Sequence, residues 1–572
     1  MVFSSNYQRH LYGWLSYAFA SEVFVIVSLT LFLPICLEQF ARDNGFLLPD
    51  KTIPCVAKAA VARPIGAPEA RCVVKLGWVW VDTASFSLYV YSISVALQAL
   101  TVISMGGIAD HPPHRKRLLV FFALLGSLSA TLFLLLPSSS PIWPISALFA
   151  MFSNVGFGAS IVAMNAYLPS LAKEAPEVSE LGERLLKLQG KQKTTRRDYN
   201  SQSDHRDSSE PLLASSSSAQ PVSPPDDTLH TLQTEYDATL SATTARISSH
   251  GIAFGYIAGI VLLVVALIPV NMLQGSTWAL RVAIGLSGIW WAAGTLPAAI
   301  WLPSAGQTSS PSETDAEAEE WGHSQPRTGA DEDWSMGKEI VRAWVRLGNM
   351  LRWSEVQKLR NTFKYLAAWF LLSDGFTTMT STALLFAKTS LSMPPSSLIL
   401  VGILTPLSGI IGSLLWPRLQ RKLGWSNLKI LVLLVVLASL IPAYGCLGFF
   451  FEARHTSDSP DALGVEVRFG GLTTPGEMFG LAVVFGSVYG AFQGYARAFY
   501  AELIPPGEEA RWYGLFSITD KSSSFVGPLI VGLIADTTGN IRYAFFFLVL
   551  MIWAALPILL AVDVQAEPPL MA

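Results

Sequence analysis

The chain has 572 residues, of which 51% are hydrophobic and only 14% charged, with a formal net charge of -3. Soluble globular proteins carry about 25% charged residues, so this composition excludes an ordinary soluble domain, and a slightly acidic balance offers no basic stripe for nucleic acid. Four cysteines, Cys36, Cys55, Cys72 and Cys446, make neither a disulfide scaffold nor a zinc set.

Apolar runs of roughly 20 residues are long enough to cross a bilayer as helices. In chain order the expected spans are Leu11–Phe40, Ser85–Ala109, Leu118–Leu136, Pro141–Ala172, Gly251–Val270 and Thr277–Trp301. After a polar interval come Phe363–Lys388, Ser397–Trp416, Leu428–Phe451, Glu477–Ile504, Trp512–Ala535 and Arg542–Val562. The first run is too long for a cleavable leader and contains Glu22, so it reads as a span. The expectation is an all-α membrane protein of about twelve helices in two six-helix halves. Spans 1–4 occupy 1–173 and spans 5–6 occupy 248–302; the second half covers 363–566, with a short tail at 567–572.

Two polar segments interrupt this pattern. Residues 174–247 are rich in Ser, Pro, Asp and Lys and are too poor in apolar residues to offset chain entropy, so disorder is expected. The linker 303–362 begins acidic. It ends in Lys338–Arg360, where Ile340, Trp344, Leu347, Leu351 and Trp353 alternate with Arg342, Arg346, Arg352 and Lys358. That pattern fits an amphipathic helix on the membrane surface, or one packed against the bundle. Lys and Arg in short loops, Arg115-Lys116-Arg117 and Arg418, Arg421 and Lys422 among them, place both polar segments and both termini in the cytosol. The loop 42–75 disagrees, with six basic residues on the opposite face. Cys55 and Cys72 lie in it, as a disulfide or as two free thiols.

The halves carry traces of duplication. Span one reads Tyr17-Ala-Phe-Ala-Ser21-Glu22-Val-Phe24, and span seven reads Trp369-Phe-Leu-Leu-Ser373-Asp374-Gly-Phe376. Gly106-Gly107-Ile108-Ala109-Asp110 leads into Arg115-Lys116-Arg117, as Gly412 leads through Pro417-Arg418 into Arg421-Lys422. The first of these resembles the loop signature of the major facilitator superfamily. There the acid caps a helix and pairs with Arg, which makes Asp110, Arg115 and Arg117 a candidate cytosolic gate; His111-Pro112-Pro113-His114 departs from the usual pattern.

A carboxylate at mid-membrane costs about 2.5–3.5 kcal/mol even on lenient scales, so Glu22 and Asp374 are candidates to exchange protons or meet a substrate ammonium; the alternative is a helix-bonding role. Arg497, four residues after Gln493, would bind a carboxylate through its fork or snorkel to the surface. Asp520 and Lys521 are adjacent and point in different directions on a helix, so Lys521 is expected to seek Glu22 or Asp374. Asn154, Gly158 and Asn165 share a face suited to cargo or to an interhelical bond, and Gly486, Gly490 and Gly494 form a small-residue face. No phosphate loop, His-Glu-x-x-His, paired-Cys motif or Gly-x-Ser-x-Gly elbow is present, so no enzyme chemistry and no cofactor are expected.

Several segments resemble the autophagy-related protein 22 family within that superfamily. They are Tyr12-Gly-Trp14-Leu-Ser-Tyr17-Ala-Phe-Ala-Ser-Glu22, Asn165-Ala-Tyr-Leu-Pro-Ser-Leu171 and Arg246-Ile-Ser-Ser-His-Gly251-Ile-Ala-Phe-Gly-Tyr256. Others are Ser373-Asp374-Gly375, Gly490-Ala-Phe-Gln493-Gly-Tyr-Ala-Arg497 and Asp520-Lys521-Ser-Ser-Ser-Phe-Val-Gly-Pro528. The resemblance implies a vacuolar membrane protein that releases leucine and other neutral amino acids to the cytosol after autophagic breakdown. Protons are a candidate second partner, and Glu22, Asp374, Tyr17, Asn165, Gln493, Arg497, Asp520 and Lys521 the candidate pathway. A facilitator for sugars, peptides or drugs, and a non-transporting receptor or scaffold, are the competing readings.

Overall fold

A computed structural model describes residues 6–49, 51–55, 71–109, 112–188, 226–303, 335–455, 470–504 and 509–563. The first span is one 38-residue helical run, Asn6–Asp43. It divides into α1 (Asn6–Val23), a wider π-helical stretch at Phe24–Phe32, and α2 (Leu33–Asp43), with Pro34 in its first turn. A small antiparallel sheet follows, of β1 (Phe46–Leu47), β2 (Cys72–Leu76) and β3 (Val79–Asp82), in register Leu47 with Cys72 and Lys75 with Trp80. Gly77, at φ +60°, takes the first corner of the β2–β3 hairpin, where a side chain would be strained.

The remaining helices of the first half are α3 (Thr83–Ala109), α4 (Pro112–Leu132), α5 (Ile145–Asn165), α6 (Leu168–Lys173), α7 (176–188), α8 (Asp226–Met272) and α9 (Thr277–Trp301). The linker holds α10 (Met336–Met350) and α11 (Trp353–Lys358). The second half comprises α12 (Arg360–Thr389), α13 (Pro395–Leu423), α14 (Asn427–His455), α15 (Pro475–Ala501), α16 (Glu509–Ser523), α17 (Val526–Thr538) and α18 (Ala544–Leu560).

Among the described residues, ten helices are long and apolar enough to cross a membrane. The expected seventh and eleventh spans are helical but fall outside that set, for two physical reasons. Helix α12 is diluted by Ser373, Asp374, Thr377, Thr378, Thr380, Ser381 and Thr382. The eleventh is broken between Ser523 and Val526 into α16 and α17.

The disorder expected for 174–247 is corrected at both ends of that segment. Residues 176–188 are helical, and α8 begins at Asp226, so the fifth span continues as a polar helix before it becomes apolar. The two rods stabilise each other: Arg246 pairs with Glu177 at 2.7 Å, and Val178 and Ile247 are buried. Residues 189–225 lie outside the described residues. Two cooperating polar helices satisfy their own backbone, which composition alone does not register.

Within the first half α1 packs on α8 and α9, and α4 and α3 pack on α5; within the second α13 packs on α15 and α12 on α18. The halves meet where α3 packs on α16 and α17, and where α8 packs on α13. Glycines set the closest approaches. Gly251, Gly255 and Gly259 of α8 lie against Trp14, Glu22 and Ile26 of the first span. Gly486 and Gly490 of α15 lie against Thr405, Ser408 and Gly409 of α13. Of the expected face of Gly486, Gly490 and Gly494, the first two pack and Gly494 meets nothing within 4 Å; the stripe on α8 has the same four-residue spacing.

Candidate functional site

Four side chains from the two halves face each other at the centre of the bundle. Glu22 sits near the middle of the first span, its stem against Gly255 of α8, where a Cβ would collide with it. Tyr256 follows on α8. Across from them stand Lys521 of α16 and Arg497 of α15, near enough for Lys521 to act on Glu22 and for Arg497 to act on Tyr256 electrostatically. One wall therefore carries a carboxylate, and the other carries a guanidinium and an ammonium, with the Asp520 carboxylate beside the ammonium. Arg497, Ser517 and Lys521 are exposed. A Cβ added at Gly494 or Gly514 would meet nothing within 4 Å, so there is room beside both glycines. Gln493 is half-buried beside them.

Lys521 also pairs with Asp520, at 3.3 Å, which corrects the expectation that adjacent residues would not satisfy each other. The long lysine stem lets its ammonium curl back to the neighbouring carboxylate.

The Ser-acid pair of the second half has a different job. Ser373 donates to Asp520 Oδ1 at 2.6 Å, at the end of α16. Asp374, 2% exposed, accepts from the backbone N–H of Gly527 at 2.8 and 3.1 Å, and from Thr378. Gly527 lies in the first turn of α17, whose own N-cap residue, Phe525, supplies no side-chain cap. A carboxylate is the favoured partner for such unpaired N–H groups. The pair thus clamps both sides of the break in the eleventh span. In the first half Ser21 Oγ is buried with no hydrogen-bond partner, and Glu22 makes none among the described residues.

Other expected pathway residues are placed elsewhere. Tyr17 is fully buried, its hydroxyl accepting from Trp291 Nε1 at 3.3 Å, so it packs rather than lines the opening. Asn154 bonds Gln98 and Ser94 of α3 at 3.1 and 2.8 Å, which makes it an interhelical bridge, and Gly158 gives Gln98 its room. Asn165, at the end of α5, is exposed.

One end of the molecule carries the basic loop. Asp110 lies outside the described residues. Arg115 donates to the carbonyl of Ala109 at 3.0 Å and lies over the Tyr167 ring, and Lys116 donates to the carbonyl of Leu302. These cations sit at the C-terminal ends of α3 and α9, where carbonyls are unpaired, and they tie the first half together. Arg117 is exposed.

The opposite end is where the halves are bonded to each other. Cys55 and Cys72 are joined in a disulfide. Arg71, next to Cys72, pairs with Asp82 at 3.1 Å and with Asp536 of α17 at 3.5 Å, and Asp536 also accepts from the N–H of Asp82. Glu38, fully buried, pairs with Arg42 and with Lys388 of α12, and Lys388 donates to the carbonyl of Ile35. Ser85 and Ser92 of α3 donate to the carbonyls of Gly532 and Phe525. Burial pushes the Asp82 carboxyl above its ordinary range, and Arg71 opposes that only in part. Sequence reasoning missed Glu38, Arg71, Lys388 and Asp536. Their signal was charge at the ends of spans with no positive-inside role.

The sequence profile described as "Vacuole effluxer Atg22 like" matches residues 6–567. The chain belongs to that family. It is 40% identical to autophagy-related protein 22 of Cryptococcus neoformans, over 98% of this chain and 96% of that one. It is 36% identical to autophagy-related protein 22-1 of Penicillium rubens, over 98% and 90%. A peptide transporter POT in complex with alafosfalin superposes with a TM-score of 0.52 at 12% identity, covering 97% of this chain and 96% of that one. A POT family transporter in complex with 5-aminolevulinic acid gives 0.51 at 11%, over 96% and 95%. At such identity the likeness is one of fold. The protein is a multi-pass membrane transporter of this family with the major facilitator fold, and its two bundles are the paired halves of that fold.

Proposed function

We propose that this protein exports amino acids from the vacuole lumen to the cytosol by alternating access. The observation that carries the reading is the opposition of charge across the central opening. A zwitterion placed there would direct its ammonium to Glu22 and its carboxylate to Arg497 and Lys521, and the open space beside Gly494 and Gly514 would take a neutral side chain. The family's description as vacuole effluxers supports the compartment and the direction.

The orientation follows from two independent features. The basic loop at Arg115–Arg117 belongs on the cytosolic side. The disulfide at the opposite end belongs in a non-reducing compartment. On that orientation, Arg71–Asp536 and Glu38–Lys388 bond the two halves to each other at the lumenal end. Glu22, which makes no hydrogen bond among the described residues, is the group we assign to change protonation when it is exposed to an acidic lumen.

The test is release of labelled leucine from proteoliposomes, with and without an acidic interior. Faster release from acidic vesicles, with that acceleration lost in Glu22→Gln, supports proton-linked export. If Glu22→Gln retains the wild-type pH response, the proton link falls. If leucine is not released under either condition, the cargo assignment falls and the fold stands.

A further inference from the structure

The linker helix α10 has three faces, and one of them packs on the bundle. Glu339, Ile340, Ala343, Leu347 and Met350 turn inward and pack against α3. Beside them runs a stripe of Val341, Trp344, Val345 and Gly348, all exposed, with Val341 61% exposed. The third face carries Lys338, Arg342 and Arg346, with Asn349. Arg342 forms an ion pair with Glu339, so the net charge of this surface is still positive. Leu351 and Arg352 continue the pattern into α11, where Trp353 is 73% exposed.

The height of the helix is set by one bond. Trp344 Nε1 donates to Ser104 Oγ at 3.2 Å, and Ser104 lies in the last turns of the Thr83–Gly106 span. The apolar stripe therefore stands at the level where that span leaves the hydrocarbon, on the same side as Arg115 and Lys116. A tryptophan at this level and an apolar stripe bordered by cations match the interfacial position of an amphipathic helix. A soluble partner would find these valines beside lipid headgroups rather than in open water.

We propose that α10 and the start of α11 form a docking surface for anionic phospholipid. Val341, Val345, Leu351 and Trp353 enter the headgroup boundary, and Lys338, Arg342, Arg346 and Arg352 lie against lipid phosphates. Since α10 also rests on α3, the anionic leaflet would help to hold the linker against the first half.

The experiment uses the full chain with Cys36→Ala and Cys446→Ala, the disulfide kept, and a nitroxide on Val345→Cys or, as a control on the polar flank, Asn349→Cys. Collision rates with oxygen and with a water-soluble nickel complex are measured in nanodiscs of phosphatidylcholine alone and of phosphatidylcholine with phosphatidylserine. The expected result is a label at 345 shielded from nickel and open to oxygen in phosphatidylserine discs, less so in neutral discs, with 349 open to nickel in both. Lys338→Gln, Arg342→Gln and Arg346→Gln together should abolish the lipid dependence, each charge weakening the preference by about fivefold. Equal shielding of 345 in both bilayers would overturn the assignment to anionic lipid. Equal exposure to nickel in both would overturn the membrane contact itself and leave the face to a soluble partner.

Discussion

Replacing Asp374 tests whether the acid of the seventh span is a structural clamp. In Asp374→Ala the N–H of Gly527 loses its acceptor inside the bundle, where water does not replace it. An unmet buried donor costs about 1–3 kcal/mol, and loss of a helix cap about 0.5–2 kcal/mol. These describe one event seen twice, so the expected loss is roughly 2 kcal/mol. Asp374→Asn keeps an acceptor oxygen but not the charge, and should lose about 1 kcal/mol. Desolvation of a carboxylate acts in the opposite sense, and its removal would stabilise the variants. The clamp dominates because Asp374 accepts from two donors, one a helix N-terminus, and so is not a bare charge in lipid. Thermal unfolding of the purified protein, followed through reaction of a thiol dye with Cys446, should rank wild type above Asn above Ala. If alanine were as stable as wild type or more so, the clamp argument would be wrong, and Asp374 would be a charge held at the expense of stability.

Arg71→Ala with Lys388→Ala should loosen the contact between the halves at the disulfide end, and spin-label distances between the ends of α3 and α17 beside it should lengthen; unchanged distances would show that other contacts hold the halves together there. Gly486→Val places new methyl groups against Thr405 and Ser408 and should cost about 1–3 kcal/mol. Its yield of monodisperse protein on size exclusion should fall, while Gly494→Ala, which meets open space, should behave as wild type. Asp82 binds its proton more tightly in the folded protein than in the unfolded chain, because burial raises its pKa. Its contribution to stability should therefore decline as pH rises from the ordinary carboxylate value of about 3.9 through the higher folded value. Comparing melting temperatures across that window, Asp82→Asn should remove part of the acid-side gain, and parallel curves for the two proteins would refute the shift.

The apolar runs announced the bundle because hydrophobic length is a strict requirement of the bilayer. They announced it least well at α12 and at the α16–α17 break. There the residues are selected for contacts with other helices, so hydropathy loses its meaning. The Ser-acid repeat was legible as a pattern, but its two uses were not. Whether a carboxylate meets an N–H or open space depends on a partner helix more than 150 residues away. The ion pairs at the disulfide end failed to appear for the same reason, since Arg71 and Asp536 are neighbours only after both halves are assembled.

The two halves share an arrangement in which an acid of the first helix lies against a glycine of the fifth. Glu22 lies against Gly255, and Asp374 against Gly527. The copies have diverged in what surrounds the acid. The partner of Asp374 is a broken helix that presents a free N-terminus, so the carboxylate is committed to bonds that hold α17 in place. The partner of Glu22 is the continuous helix α8, whose backbone N–H groups are spent on its own turns. Its carboxylate is left facing Lys521 across the opening, and the adjacent Ser21 hydroxyl is unpaired. Because α17 also carries Gly532 and Asp536, the clamp at Asp374 fixes the helix through which the halves are bonded at the disulfide end. One acid is thus spent on holding a helix end, and the other is left for the role proposed for it above, so the same position in the two halves meets different surroundings.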